Sequence, residues 1–267
     1  MTWGVAGLAV SFGSLPALEG VTLEVPAGRV TAVVGGDGAG KSTLLRVMAG
    51  LVTPHRGTVG LPERGRIGYL PTRAGGFRDL TVAENLEFVA SVARLPQAGP
   101  RIDDLLERTG LAPFPRRLAR DLSGGMRQKL GVIMAMLPEP ALLVLDEPTT
   151  GIDPVSRSDL WRLIALAAAG GTAVLVSSAY LDEAERAAWV LVLHEGRPLV
   201  AGPPAEVVAT LPGAVVEVET PGDPARAWRR GPRWREWRPE GDPAAVTPGL
   251  EDVVIVASLA AGPGRAP

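Results

Sequence analysis

The sequence contains one segment of high glycine density, Gly35-Gly36-Asp37-Gly38-Ala39-Gly40-Lys41-Ser42. It fits the pattern GxxxxGK[ST], in which glycines let successive backbone N–H groups turn inward around phosphates. A β-rich run over 29–34 precedes it and a helical pattern follows it, which is the context that the pattern requires. We therefore predict a nucleotide phosphate loop that extends to Thr43, with Lys41 on the β- and γ-phosphates and Ser42 on Mg²⁺. The alternative is a glycine-rich loop without a ligand.

The composition excludes several kinds of site. Of the 267 residues, 46% are hydrophobic and 21% charged, and the formal net charge of −2 gives no indication of a nucleic-acid partner. Cys is absent, which excludes disulfides, cysteine-ligated metals and thiol catalysis. With two histidines, a histidine metal site or a Ser-His triad is not expected. We also expect neither a signal peptide nor a membrane-spanning helix, since no basic start precedes an apolar stretch and no apolar run reaches about 20 residues.

Strand and helix patterns alternate along the chain, which predicts an α/β fold with a mostly parallel sheet. Continuous apolar runs at 141–145 and 172–176 are typical of parallel strands buried on both faces. The intervening helical patterns are predicted to run from a capping box at Thr81 to Leu95, over 102–110, and from Ser123 to Leu137.

The same patterns predict the domain organisation. We expect residues 1–210 to form a P-loop NTPase domain with an antiparallel β subdomain and an inserted helical subdomain at about 73–137. Beyond it the chain is rich in Pro, Gly and Arg, with a strand candidate at 214–219 and an apolar stretch at 250–260. Residues 211–267 are therefore predicted to form a small C-terminal α+β accessory domain.

Two carboxylates directly follow the apolar run at 141–145. Asp146 and Glu147 would lie at the carboxyl end of a buried strand, which is where ligands bind in open α/β sheets. Asp146 suits a water-mediated contact to Mg²⁺, and Glu147 is the candidate catalytic residue, placed to polarise an attacking water. The alternative is a pair of solvated loop acids.

Leu122-Ser123-Gly124-Gly125-Met126-Arg127-Gln128 is a second potential anion site, because its Ser-Gly-Gly turn begins a helix. One nucleotide does not need two such sites from one subunit, whereas two subunits placed head to tail would share them. Together with the phosphate loop, Asp146-Glu147-Pro148 and Gly151-Ile152-Asp153, this segment makes the chain strongly resemble the ABC-type ATPases over about 1–210. It also disfavours an unrelated P-loop kinase or GTPase.

The resemblance implies two nucleotide domains that sandwich two ATP molecules and act on integral-membrane permease subunits. Each ATP would lie between one subunit's phosphate loop and the other's Ser123, Gly124 and Gly125, with Asp153 in the family's D-loop. Phe12 lies where the family places an aromatic ring on adenine, although a half-buried strand phenylalanine is the alternative. The expected cofactors are ATP and Mg²⁺, and the expected location is peripheral, on the cytoplasmic face of the cell membrane.

Three positions depart from the family's pattern, all in the site built on this chain's own phosphate loop. Thr72 replaces a Mg²⁺-ligating Gln, Ala179 replaces the switch His, and Asp37 replaces the commoner Asn. Because threonine is short and alanine cannot hydrogen-bond a phosphate, we expect this degenerate site to turn over slowly. The Ser-Gly-Gly turn is intact, which favours a heterodimer in which this chain completes a consensus-like partner's hydrolytic site. Drift at tolerant positions is the alternative.

Asp37, taken with the segment 179–185, also resembles the N-terminal nucleotide half of exporter ATPases that carry two such halves in one chain. That resemblance implies efflux of drugs or other hydrophobic compounds. A different class of function, an ATP-gated regulatory or binding module without transport, is kept as the alternative.

The C-terminal region contains a basic and aromatic segment at 226–238. Such mixing is found at contacts with lipid headgroups or nucleic acids. The alternative, which we favour, is a solvated arginine face whose tryptophans pack within the accessory domain. Pro248-Gly249-Leu250-Glu251-Asp252-Val253 resembles the closing segment of exporter-type ATP-binding subunits, which agrees with that interpretation.

Overall fold

The computed structural model describes residues 1–72 and 76–261. Its strands are β1 (Thr2–Phe12), β2 (Leu15–Pro26), β3 (Val30–Val34), β4 (Arg56–Gly60), β5 (Ile67–Leu70), β6 (Leu142–Asp146), β7 (Ala173–Ser178), β8 (Trp189–His194), β9 (Arg197–Gly202), β10 (Ala214–Val218), β11 (Ala227–Arg230) and β12 (Arg233–Arg238). Its helices are α1 (Lys41–Met48), α2 (Val82–Val92), α3 (Gly99–Thr109), α4 (Gly124–Met136), α5 (Pro154–Ala169), α6 (Leu181–Ala184), α7 (Pro204–Ala209) and α8 (Leu250–Ala261). The predicted α/β fold is confirmed.

The central sheet has six strands in the order β5-β6-β7-β3-β8-β9. The first five are parallel, and β9 returns antiparallel to β8 as the predicted terminal hairpin. Strands β3, β6 and β7 are buried at every residue, as parallel strands covered on both faces should be. Their carboxyl ends coincide, because Val34 pairs with Ser178 and Asp146 pairs with Ser177. The phosphate loop and the carboxylates therefore lie at one edge of the sheet.

Two hydrophobic cores lie on opposite faces of this sheet, because alternate residues of a strand point to opposite sides. Val33 and Val144 pack with α1 and with the antiparallel sheet β2-β1-β4. Leu143 and Val176 pack on the other face with the helices, among them Ile133 of α4. The antiparallel sheet and α1 thus lie on the same face of the central sheet.

Helices α2, α3 and α4 lie between β5 and β6 in the chain, as predicted, and the predicted residues 73–75 lie outside the described residues. The capping box of Thr81 and Glu84 is present. The prediction that α2 runs to Leu95 was wrong by three residues. Arg94 takes a left-handed conformation, and the N–H of Leu95 returns to the carbonyl of Ala90, which closes the helix at Val92.

The next helix, α3, begins earlier than predicted. Helix α3 starts at Gly99 rather than 102, with Pro100 in its first turn. Proline is tolerated there because the N–H that it lacks has no partner inside a helix. Pro100 therefore lies in the first turn of α3, whereas the sequence pattern assigned this proline to the interruption between two helices.

A separate three-stranded sheet, β10-β12-β11, follows α7 and carries the basic and aromatic segment. Two of its tryptophans have contacts within this unit. Trp237 Nε1 donates to the carbonyl of Pro212 at 2.7 Å, Arg226 lies over the Trp237 ring, and Arg229 lies over the Trp234 ring. The buried guanidinium of Arg235 forms an ion pair with Asp252 of α8, which is fully buried. The Arg235–Asp252 ion pair thus joins β12 to α8. The last six residues of the predicted domain, 262–267, lie outside the described part.

Among the described residues, no helix is both long enough and apolar enough to span a bilayer.

Candidate functional site

The phosphate loop connects the end of β3 to the start of α1, and its shape depends on glycine. A Cβ built on Gly35 would lie 2.2 Å from the carbonyl oxygen of Leu193, and one on Gly40 would lie 2.8 Å from that of Ala17. Both glycines have positive φ, so no other residue fits there. By contrast, a Cβ on Gly36 or Gly38 would meet nothing within 4 Å. The loop is thus closely packed at Gly35 and Gly40 and has open space beside Gly36 and Gly38. We refer to this arrangement as the cradle.

Lys41, the first residue of α1, lies across this cradle. Its side chain is 5% exposed, and Nζ donates to the carbonyls of Gly35 at 2.9 Å and Gly36 at 3.1 Å. Nζ also lies 3.5 Å from Oε1 of Glu147. Among the described residues no side chain caps the N-terminus of α1, where Gly40 is the N-cap. The helix start therefore combines uncapped backbone N–H groups with an ammonium group. Phosphate is the chemical group that this combination suits.

Asp146 is buried at the end of β6 and is held by two hydroxyls. Its Oδ1 accepts a hydrogen bond from Ser177 Oγ at 2.6 Å, and its Oδ2 accepts one from Thr72 Oγ1 at 2.7 Å. Both donors are neutral, and each carboxylate oxygen keeps a further lone pair. A carboxylate of this kind fits a water on Mg²⁺, an ion that proteins hold through one or two carboxylates and substrate phosphates. The described residues hold no cluster of three His, Asp or Glu side chains that could bind a metal ion.

Glu147 has an unusual backbone. Its φ of 50° is left-handed, which costs a non-glycine residue about 1–3 kcal/mol. Its N–H donates to Ser177 Oγ at 2.9 Å, so the same hydroxyl that holds Asp146 also fixes this turn. The turn aims the Glu147 carboxylate at Lys41. The structure therefore brings Lys41, Asp146, Glu147 and Thr72 together at the phosphate loop.

Sequence reasoning missed Ser177. The available signal was its position: a hydroxyl residue ends the apolar strand β7, directly beside the strand that ends in Asp146. Polar residues at neighbouring carboxyl ends of parallel strands meet at the same edge.

A second cluster forms around Ser123, which accepts a hydrogen bond from the N–H of Met126 as the N-cap of α4. A Cβ on Gly125 would lie 3.0 Å from Ser156 Oγ and 3.7 Å from Oδ2 of Asp153, so this turn packs directly on the start of α5. Asp153 caps α5 by accepting hydrogen bonds from the N–H groups of Ser156 and Val155, and these bonds lower its pKa. The structure thus brings Ser123, Gly124, Gly125 and Asp153 together.

The remaining predicted residues lie around the phosphate loop or beyond β7. Phe12 ends β1 and is 53% exposed. Asp37 is exposed at the tip of the loop, and Ser42 and Thr43 follow Lys41 in the first turn of α1.

Ala179 is exposed directly after β7, and the segment that carries it is held in place by a buried network. Ser178 Oγ and Thr149 Oγ1 both donate to Oε2 of Glu183, at 2.6 and 2.8 Å, and Glu183 is fully buried. Arg157 of α5 lies 3.5 Å from the other Glu183 oxygen and stacks on the Tyr180 ring. Residue 179, which carries no imidazole, therefore lies in a segment that these contacts hold against α5.

Comparison with known proteins gives a consistent result. The family model described as ABC transporter matches residues 18–150. The probable multidrug ABC transporter ATP-binding protein YbhF of Escherichia coli (strain K12) is 41% identical over 210 residues, 74% of this chain and 36% of that protein. The chain thus spans about a third of that relative. The daunorubicin resistance ATP-binding protein DrrA3 of Streptomyces coeruleorubidus is 37% identical over 80% of this chain and 72% of that protein.

Among solved structures, one described as the ATP binding subunit of an ABC transporter superposes with a TM-score of 0.72. It is 29% identical and covers 78% of this chain and 92% of its own. A second, cbiO1 from Clostridium perfringens, is described as part of the ABC transporter complex cbiONQ and gives a TM-score of 0.69 at 27% identity.

Proposed function

Because this chain belongs to the ABC transporter family of ATP-binding proteins, we propose that it binds Mg-ATP at an interface between two nucleotide subunits and so drives export. The observation that carries this proposal is the division of the chain into two clusters. The cluster around Lys41 offers a phosphate cradle, a cation-directed carboxylate and a glutamate. The cluster around Ser123 offers a second helix start, beside Asp153. Two such chains, or this chain and a related one, would each supply half of every site.

The residues of the first cluster have distinct roles in this proposal. Bound Mg²⁺ would neutralise phosphate charge, held by Ser42 directly and by Asp146 through water. Lys41 would exchange its carbonyl contacts for phosphate oxygens, because its ammonium is a compact charge that reaches a phosphate end-on. Glu147, aimed by its left-handed turn, would accept a hydrogen bond from the attacking water and orient it. Phe12 would stack on the adenine ring.

We further propose that this site is degenerate and that the partner is a different nucleotide subunit. Ala179 brings no hydrogen-bond donor to the γ-phosphate, and Asp37 adds a negative charge beside a polyanion. The loss of one preorganised contact of this kind lowers a rate by roughly 10²–10³. The Ser123 turn is intact, so in the proposed heterodimer it completes the partner's hydrolytic site. We also propose the division into a nucleotide domain over 1–210 and an accessory domain over 211–267.

An exposed apolar surface supports membrane subunits as partners. Phe77 and Phe88 are 50% and 45% exposed, and their rings meet edge to face with centroids 4.8 Å apart. Val92, one turn further along α2, is 69% exposed. This apolar surface, Phe77-Phe88-Val92, begins five residues after Thr72 in the chain. We propose that a permease docks there and holds this subunit at the cytoplasmic face of the membrane. Drug efflux is proposed from the names of the relatives.

Affinity capture of the tagged chain from its native membranes, followed by mass spectrometry, tests this proposal. A permease together with a second ATPase that carries the missing Gln and His would support the asymmetric exporter. A permease alone would overturn the heterodimer, and recovery from the soluble fraction without a permease would favour the ATP-gated regulatory module. A Phe88→Ser variant should lose the permease, whereas Leu166→Ser, at an exposed leucine of α5, should retain it.

A further inference from the structure

Thr72 was expected to be a degenerate position, yet it makes a specific contact. Its hydroxyl donates to Oδ2 of Asp146 at 2.7 Å, across 74 positions of sequence. Hydrogen bonds from a hydroxyl to a carboxylate are the short, charge-assisted kind. Thr72 itself is exposed, whereas Asp146 is 1% exposed. A surface residue therefore contacts a buried, cation-directed group.

The sheet explains how this contact arises. Leu70, the last residue of β5, pairs with Leu145 of β6, so Thr72 emerges beside Asp146. On the other side, β7 places Ser177 opposite Asp146. The carboxylate is consequently held between hydroxyls from both neighbouring strands, one on each oxygen. The orientation of the Asp146 carboxylate therefore depends on Thr72 as well as on Ser177.

We propose that Thr72 is a positioning residue for Asp146 and that it acts on the divalent-cation site through its hydroxyl. The inference rests on the proposed Mg-ATP site. The family's Gln would contact the ion directly, whereas here the contact is indirect, through the rotation of the Asp146 carboxylate.

The test is a Mn²⁺ titration of the full chain by electron paramagnetic resonance, in the presence of a non-hydrolysable ATP analogue. Loss of a hydrogen bond to a charged group, at an exposed position, should weaken Mn²⁺ binding in Thr72→Val by about tenfold. Thr72→Ser should restore it to within about twofold, because the hydroxyl returns. Thr53→Val, at an exposed threonine before β4, is the matched control and should bind as the wild type does. Nucleotide affinity without a divalent ion should be unchanged in all three variants.

Two sets of outcomes separate this inference from the function on which it rests. Wild-type Mn²⁺ affinity in Thr72→Val, or no recovery in Thr72→Ser, would overturn the positioning role. If Asp146→Asn nonetheless weakens Mn²⁺ binding, the proposed site stands. If neither Asp146→Asn nor Lys41→Ala changes binding of Mn²⁺ or nucleotide, the proposed site fails and the inference with it.

Discussion

Asp252 of α8 allows a quantitative test of what holds the C-terminal sheet to its helix. The side chain is fully buried, and Oδ2 accepts a hydrogen bond from the N–H of Gly249 at 2.7 Å. The same oxygen forms an ion pair with Arg235, which is 7% exposed, and lies 3.4 Å from Nη1 of Arg230. Asp252→Asn keeps the shape and an acceptor but removes the charge. The buried guanidinium of Arg235 then loses its counter-ion.

Removal of one partner from a buried ion pair destabilises a protein by about 3–5 kcal/mol. Glu217 lies 4.0 Å from Nε of Arg235 and keeps part of the compensation, so we expect the lower end, about 3 kcal/mol. The matched control is Asp79→Asn. Asp79 pairs with Arg120 at 2.9 Å, but its side chain is 86% exposed, and such pairs contribute less than about 1 kcal/mol.

Urea unfolding followed by tryptophan fluorescence measures the difference, since Trp228, Trp234 and Trp237 lie in the sheet that Asp252 anchors. With a slope of about 2 kcal/mol per molar urea, a loss of about 3 kcal/mol lowers the midpoint by about 1.5 M. Equal midpoints for Asp252→Asn and Asp79→Asn would refute the reasoning. The double change Arg235→Met with Asp252→Leu should recover most of the loss, because it removes both buried charges.

Three further outcomes are expected. Ala179→His should raise the steady-state ATPase rate of the purified chain at least tenfold, and an unchanged rate would mean that more than the imidazole is missing. Glu147→Gln should retain nucleotide binding by fluorescence titration but lose hydrolysis, and undiminished turnover would assign the water to another group. Because the pKa of Asp153 is lowered by hydrogen bonds from Ser156 and Val155, its cap of α5 should persist at neutral pH and fail only as the pH falls below the ordinary aspartate value. A carboxyl titration by NMR checks this, and a normal or raised pKa would contradict it.

The sequence predicted the sheet and the strand–loop–helix arrangement around residues 35–42 because their signals are local. Apolar runs mark strands buried on both faces, and the glycine spacing before Lys41 marks a loop that only glycine can form. Helix starts were also local signals, since the side chains of Thr81 and Ser123 cap helices within three residues. Each of these features depends on residues that are near neighbours in the chain.

The features that could not be predicted are of two kinds: a local backbone conformation without a sequence signal, and contacts between residues that are distant in the chain. The end of α2 was set by a left-handed Arg94, whose conformation carries no compositional signal. The two hydroxyls on Asp146 come from neighbouring strands, and only the strand order brings Thr72 and Ser177 to it. For that reason the sequence did not predict the hydrogen bond from Thr72 to the buried carboxylate of Asp146.

The packing of Gly125 against the start of α5 restricts which sequences this surface can accept. A single methyl group there would lie 3.0 Å from Ser156 Oγ, a distance that forces a neighbour to move by a few tenths of an ångström. Ser156 is one of the two residues whose N–H groups bind the Asp153 carboxylate. Substitutions at Gly125 and Asp153 are therefore not independent variables in a mutational scan. A library that varies both positions should therefore show strong epistasis. Tolerated double substitutions should be far rarer than the product of the frequencies of the tolerated single substitutions predicts.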